Sequence, residues 1–236
     1  MASLTAVTVI TVITVIATFM ALATSTAHAQ NSLGNVPAGR LPSQVAINPV
    51  TNRIYVLDLG VGIVTVIDCA TQSVIATVGV GDQPRAIAIN AVTNKIYVAS
   101  YGTARVTVIN GANNFVLGTL NVDLLLPFGI RSFPYALAIN PVTNKIYVTS
   151  DADVGAERMT VIEGTANTVV ATIAAGSSPR SVAVNPIANQ IYVANFSSGD
   201  VTVIDGATST TTTLGANANP IALAVNPVTN KIYVAN

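Results

Sequence analysis

Three carboxylates crowd one short stretch of the chain, Asp151, Asp153 and Glu157 in SDADVGAER at 150–158. Oxygen ligands of this kind suit a hard cation, so Ca²⁺ is the one cofactor the sequence suggests. The spacing lacks the further ligands and terminal Glu of a recognised calcium loop, and a solvated loop whose charge is balanced by Arg158 is the simpler expectation. A second set is spread over the chain. The residue after a recurrent Pro is Ser43, Arg85, Tyr135, Arg180 or Ile221. Two guanidinium groups and a phenol at one repeated offset could converge on an anionic or sugar-like ligand. Alternatively, Arg85 and Arg180 pair with Asp82 or with backbone carbonyls and solubilise a rim.

Other chemistries lose their footing. The only histidine is His28 and the only cysteine is Cys69. His28 falls in an amino-terminal segment expected to be cleaved, so histidine-based nucleophilic catalysis and histidine-ligated zinc or iron have no residues to build on. Cys69 can form no intrachain disulfide and is expected to be a small buried hydrophobe. No phosphate-cradling GxxxxGK[ST] loop or GxGxxG fingerprint occurs. Ten Lys plus Arg balance ten Asp plus Glu, so no net basic charge exists to gather phosphates, and no nucleic-acid partner is expected.

The elements that must position these residues are repeats. NPVTNKIYV stands at 140–148 and at 226–234, with near copies NPVTNRIYV at 48–56, NAVTNKIYV at 90–98 and NPIANQIYV at 185–193. Their tyrosines, Tyr55, Tyr97, Tyr147, Tyr192 and Tyr233, are 42, 50, 45 and 41 residues apart, a period that signals propellers or solenoids. Charged residues make up 8% of the chain, against about 25% in an average soluble domain, while Val, Ile, Thr and Ala dominate. That composition suits strands buried on both faces. Within a unit, apolar runs between turn signals predict four strands, a to d, such as Ala86 to Asn90, Lys95 to Ser100, Arg105 to Asn110 and Phe115 to Leu120. The Asn-Pro-x-Thr/Ala-Asn link between a and b is a structural turn, and Asp68, Asn110, Glu163 or Asp205 opens the c–d hairpin.

TNKIYVAN, VTVIDGAT and the Pro-x-x-Val-Ala-Val-Asn pattern, recurring in register from 33 to 236, resemble the YVTN family of β-propeller repeats. The resemblance implies an all-β propeller of four-stranded antiparallel blades and a secreted, periplasmic or cell-surface location. The units run 42–83, 84–133, 134–178 and 179–219, with a partial fifth at 220–236. Residues 30–41 form a linker and, because LGNVPAGRLP at 33–42 matches IATVGVGDQP at 75–84, part of the last strand of a blade. The fifth unit stops after strand b. The ring is therefore expected to be incomplete or truncated, with an open edge at Ile232 to Ala235 through which copies of the chain could pair.

Residues 1–29 carry no charged side chain, are rich in apolar and Thr residues and end in Ala27-His28-Ala29, the pattern of a cleaved signal peptide. Left uncleaved, the segment is long enough to anchor the chain in a membrane. Two insertions, at 122–133 between d and a and at 150–158 between b and c, fall at the same end of the blades, since strands alternate in direction. The apolar run Leu124 to Phe128 in the first is either a recognition patch or a segment folded over the third blade. That end is the expected binding face. Taken together, these features point to an exported, non-enzymatic scaffold for a protein or glycan partner. A carboxylate-metal propeller hydrolase or lactonase, using Asp151, Asp153 and Glu157, and a structural surface-layer component are the alternatives.

Overall fold

The computed structural model describes residues 35–122, 132–152, 157–216 and 218–236. The signal peptide or anchor expected at 1–29, the run Leu124 to Phe128 and Asp153 lie outside the described residues. Among the described residues there are eighteen strands and no helix.

The first sheet joins β1 (Pro42–Asn48), β2 (Arg53–Asp58), β3 (Ile63–Asp68) and β4 (Ser73–Gly79). The second joins β5 (Pro84–Asn90), β6 (Lys95–Ser100), β7 (Arg105–Asn110) and β8 (Val116–Asn121). The third holds β9 (Ser132–Asn140), β10 (Lys145–Ala152), β11 (Arg158–Glu163) and β12 (Thr168–Ala174). The fourth holds β13 (Pro179–Asn185), β14 (Gln190–Asn195), β15 (Asp200–Asp205) and β16 (Thr211–Gly215). A two-stranded sheet of β17 (Ala222–Asn226) and β18 (Lys231–Ala235) comes last. Every sheet is an antiparallel meander in chain order, the arrangement of propeller blades, and the described sheets do not close into a ring.

The core lies between blades, and this explains why the Ile-Tyr-Val run is apolar without alternation. Successive side chains point to opposite faces of a strand, and here both faces are covered. Ile96 and Val98 pack with Tyr55, Leu57, Val64 and Val66 of the blade before, whereas Tyr97 packs with Ile146, Val148 and Ile162 of the blade after. Tyr147 likewise packs toward Ile191, Val193 and Ile204. Each blade thus presents its Ile face backward and its Tyr face forward.

The Asn-Pro-x-Thr/Ala-Asn segment is a turn, as expected, and it also joins neighbouring blades. Its last Asn adopts a left-handed conformation, with φ of 53° at Asn52, 52° at Asn94, 52° at Asn144, 51° at Asn189 and 52° at Asn230, which Asn tolerates better than most residues. Its first Asn accepts from a backbone N–H two residues on, as Asn90 does from Val92 at 3.0 Å. The Nδ2 of that first Asn donates to the last Asn of the next blade's turn: Asn48 to Asn94 at 2.7 Å, Asn90 to Asn144 at 2.8 Å, Asn140 to Asn189 at 2.9 Å and Asn185 to Asn230 at 2.7 Å.

Residues 35–39 carry no strand, because no described strand runs beside them to supply hydrogen bonds. Val36 and Ala38 still cover Ile54, Val56 and Ile67, as Val78 and Val80 cover Ile87, Ile96 and Ile109 one blade later. Gly39 (φ 104°) also matches Gly81 (φ 94°). Cys69 is half-buried against the same cluster rather than enclosed in it, and burial, with the charge of Asp68, pushes its thiol pKa up.

Candidate functional site: a bulged, aromatic-guanidinium rim

Ladder pairing in the first strand of each full blade slips by one residue immediately after the leading Pro. Pro42 pairs with Asp58 and Gln44 with Leu57, Pro84 with Ser100 and Ala86 with Ala99, Pro134 with Ser150 and Ala136 with Thr149, Pro179 with Asn195 and Ser181 with Ala194. The skipped residues are Ser43, Arg85, Tyr135 and Arg180. A β-bulge leaves its extra residue out of the ladder and re-aims its side chain, so the variable positions singled out in the sequence are those freed from the sheet. The bulge itself left no mark in the sequence beyond the Pro.

The insertion before the third blade and the one between its second and third strands meet in one ladder. β9 and β10 continue past the bulge through Asp151 opposite Phe133 and Ala152 opposite Ser132. Asp151 therefore stands in a strand, not in a solvated loop, and lies beside the rim.

Side chains from three blades then stack in sequence. The Phe133 ring lies on Tyr101, with centroids 4.8 Å apart and planes at 25°. The Arg85 guanidinium carbon is 5.1 Å from the centre of Tyr101 and 5.3 Å from that of Tyr135. Arg180 is 4.6 Å from Tyr135 and 5.6 Å from Phe196. Arg180 also pairs with Asp151 at 3.8 Å rather than with Asp82. All six stacked residues are half-buried. Each cation–π contact contributes about 0.5–1 kcal/mol at such partly exposed sites, and the stack holds the planar groups in fixed orientation. Tyr135 is the centre, within cation–π distance of both guanidinium groups.

Tyr101 and Phe196 were not singled out in the sequence. They occupy equivalent places, each the first residue after the second strand of its blade, where Tyr101 N–H donates to Gln83 and Phe196 N–H to Ser178. Aromatic residues at that offset in alternate blades were the signal that could have found them.

The three expected metal ligands are placed differently from one another. Asp151 is engaged with Arg180. The Glu157 carbonyl accepts from Ala175 N–H in the backbone ahead of β11. Asp153 is outside the described residues, and no cluster of three or more potential metal-ligating side chains occurs among the described residues. The arrangement can stack on planar or sugar faces and donate hydrogen bonds to an acceptor from guanidinium edges. Ile221, the fifth residue at the rim offset, is exposed and precedes β17.

No family profile and no curated protein matches the chain. Solved structures do. The chain is similar to hydrazine synthase of Kuenenia stuttgartiensis, with a TM-score of 0.69 and 20% identity, covering 82% of this chain and 55% of that one. It is also similar to a functionally unknown protein from Desulfotomaculum acetoxidans, with a TM-score of 0.67 and 14% identity, covering 83% of this chain and 62% of that one. The chain thus spans less than two thirds of the length of both. These likenesses establish the β-propeller-like fold and nothing finer.

Proposed function

We propose that this chain is an exported, non-enzymatic binding module of YVTN-type repeats, whose b–c and d–a loop face takes an anionic or glycan group of a partner. The observation that carries this reading is the stack from Phe133 through Tyr101, Arg85, Tyr135 and Arg180 to Phe196. It combines aromatic faces, on which sugar rings lie flat, with guanidinium edges that pair with carboxylate or sulfate oxygens. Asp151 neutralises part of the Arg180 charge, so the face suits a ligand of low charge density, such as a uronate-containing glycan, better than a polyphosphate.

The test is a screen of immobilised neutral and acidic glycans with the wild-type chain and with an Arg85→Ala, Arg180→Ala double variant. Retained glycans should bind the double variant at least about tenfold more weakly, the loss expected when charge-assisted bonds worth ~1.5 kcal/mol or more are removed. Undiminished binding by the double variant would rule the rim out.

A further inference from the structure

The hairpin between the third and fourth strands of a blade receives two donors from the blade before it. Arg53 Nη1 and Tyr55 Oη donate to Asn114 Oδ1 at 3.4 and 2.9 Å. Lys95 Nζ and Tyr97 Oη donate to Asn167 Oδ1 at 3.1 and 3.4 Å. Both acceptors sit in the left-handed conformation, with φ of 63° and 54°. At the junction of the third and fourth blades the same position, with φ of 62°, is Ser209. Serine has no carboxamide to offer. Lys145 Nζ reaches only the Gly206 carbonyl, at 3.2 Å. The Tyr147 hydroxyl, on a residue 1% exposed, is closed to solvent and meets no hydrogen-bond partner. The Thr143 side chain is near enough to temper the upward push of burial on the phenol pKa, but it does not bond in the geometry observed.

Space opens beside the position of the missing amide. A cavity of about 360 Å³ is lined by Lys145, Tyr147, Glu163, Ile204, Asp205 and Ser209, among others. We propose that this cavity binds a neutral carboxamide, whose oxygen takes the Lys145 donor and, by displacing the atoms that close it off, the Tyr147 donor, the pair that Asn114 and Asn167 take from their counterparts at the other junctions. Charge selects against the alternatives. Glu163 accepts from the N–H groups of Thr165 and Ala166 at 2.8 and 2.7 Å, and Asp205 from those of Ala207 and Thr208 at 2.8 Å each. These bonds keep both carboxylates ionised, which disfavours an anionic ligand, while Lys145 disfavours a cationic one. A carboxamide offers an acceptor to the two donors and an NH₂ group to the carboxylates. The site lies at the turn end of the blades, away from the bulged rim, and is independent of the function proposed there.

Propionamide and propionate, titrated separately and followed through the backbone N–H resonances of Gly206 and Ser209, test the site. Propionamide should give saturable shifts in the millimolar range, as expected for so few ligand atoms, and propionate should bind at least about tenfold more weakly. Ser209→Asn supplies the amide from within the chain, so it should abolish the propionamide response and raise the melting temperature. Tyr147→Phe should weaken the response while the spectrum stays that of the folded chain. Equal binding by Ser209→Asn, equal binding of propionate, or no saturation up to about 100 mM propionamide would overturn the proposal, the last leaving water alone in the cavity.

Discussion

Asp58 shows how one residue can carry a local fold. At the equivalent end of the second strand the other blades have Ser100, Ser150 and Asn195, all buried and polar. Asp58 is fully buried and accepts from the N–H groups of Arg40, of Leu41 at 3.2 Å and of Gly60 at 2.8 Å. A Cβ on Gly39 would collide with its carboxylate, which explains a glycine there in addition to its positive φ. Burial acts to raise the Asp58 pKa, but the N–H groups of Arg40, Gly60, Leu41 and Val61 together hold it below the ordinary 3.8. A depressed folded-state pKa contributes stability that is present above 3.8 and lost as pH falls through the lower folded value. Asp58→Ala should therefore cost about 2–3 kcal/mol near neutral pH, the penalty for stranding several donors of charge-assisted bonds. In urea melts between neutral pH and about pH 2, the difference between wild type and variant should shrink at the acid end. A difference that stays constant with pH would show that the charge is not what the backbone is holding.

At the scale of the element, the unit of stability is the junction between two blades. The first Asn of each of the four full blades' turns shapes its own turn with Oδ1 and reaches the following blade with Nδ2, as Asn140 does. Asn140 and Asn226 separate the two roles. Both accept from the N–H groups two and three residues on, but Asn140 also donates to Asn189 and is fully buried, whereas Asn226 belongs to the two-stranded sheet and is only half-buried. Asn140→Ala should cost about 2 kcal/mol and Asn226→Ala about half that, read as shifts in the urea midpoint at constant slope. Equal costs would show that the turn, not the bond across the junction, is what the Asn supplies. Tyr192 has no third-to-fourth-strand hairpin ahead of it among the described residues, and its hydroxyl donates instead to Gln190 of its own blade at 2.7 Å.

At the scale of the whole molecule, the described sheets leave two flanks that match the faces buried at every internal junction. On the first blade Val45 and Ile47, which face the same way as Ile54 and Val56, are 54% and 61% exposed. On the last sheet Tyr233 is 58% exposed, whereas Tyr55, Tyr97 and Tyr147 are at most 1% exposed. One flank is a backward face and the other a forward face, so a second copy could seat on either by the contacts that join blades within the chain. A polypeptide of these 236 residues should self-associate in sedimentation experiments as its concentration rises, and Ile47→Lys or Tyr233→Lys should return it to a monomer by placing a charge in the apolar contact. Association unchanged by both substitutions would locate it elsewhere.

Sequence alone determined the blades and much of their interior. Strand direction and the clustering of variation at one end follow from a period of two along each strand and of 41–50 residues along the chain, whereas the packing of each tyrosine toward the next blade came only from the structure. Arg85, Tyr135 and Arg180 were legible as candidates because they vary at an otherwise regular offset. What they do to one another was not. The stack depends on Tyr101, Phe133 and Phe196 reaching across blades, and on a one-residue bulge that a strand pattern does not encode. The bond joining Asn90 to Asn144 links positions 54 apart whose types are explained equally well by a turn. Nor could the sequence separate five similar tyrosines into bonded, unbonded and exposed cases. That distinction rests on whether the next blade presents Asn114, Asn167 or Ser209, or has no such hairpin among the described residues, and such pairings exist only once sheets have stacked.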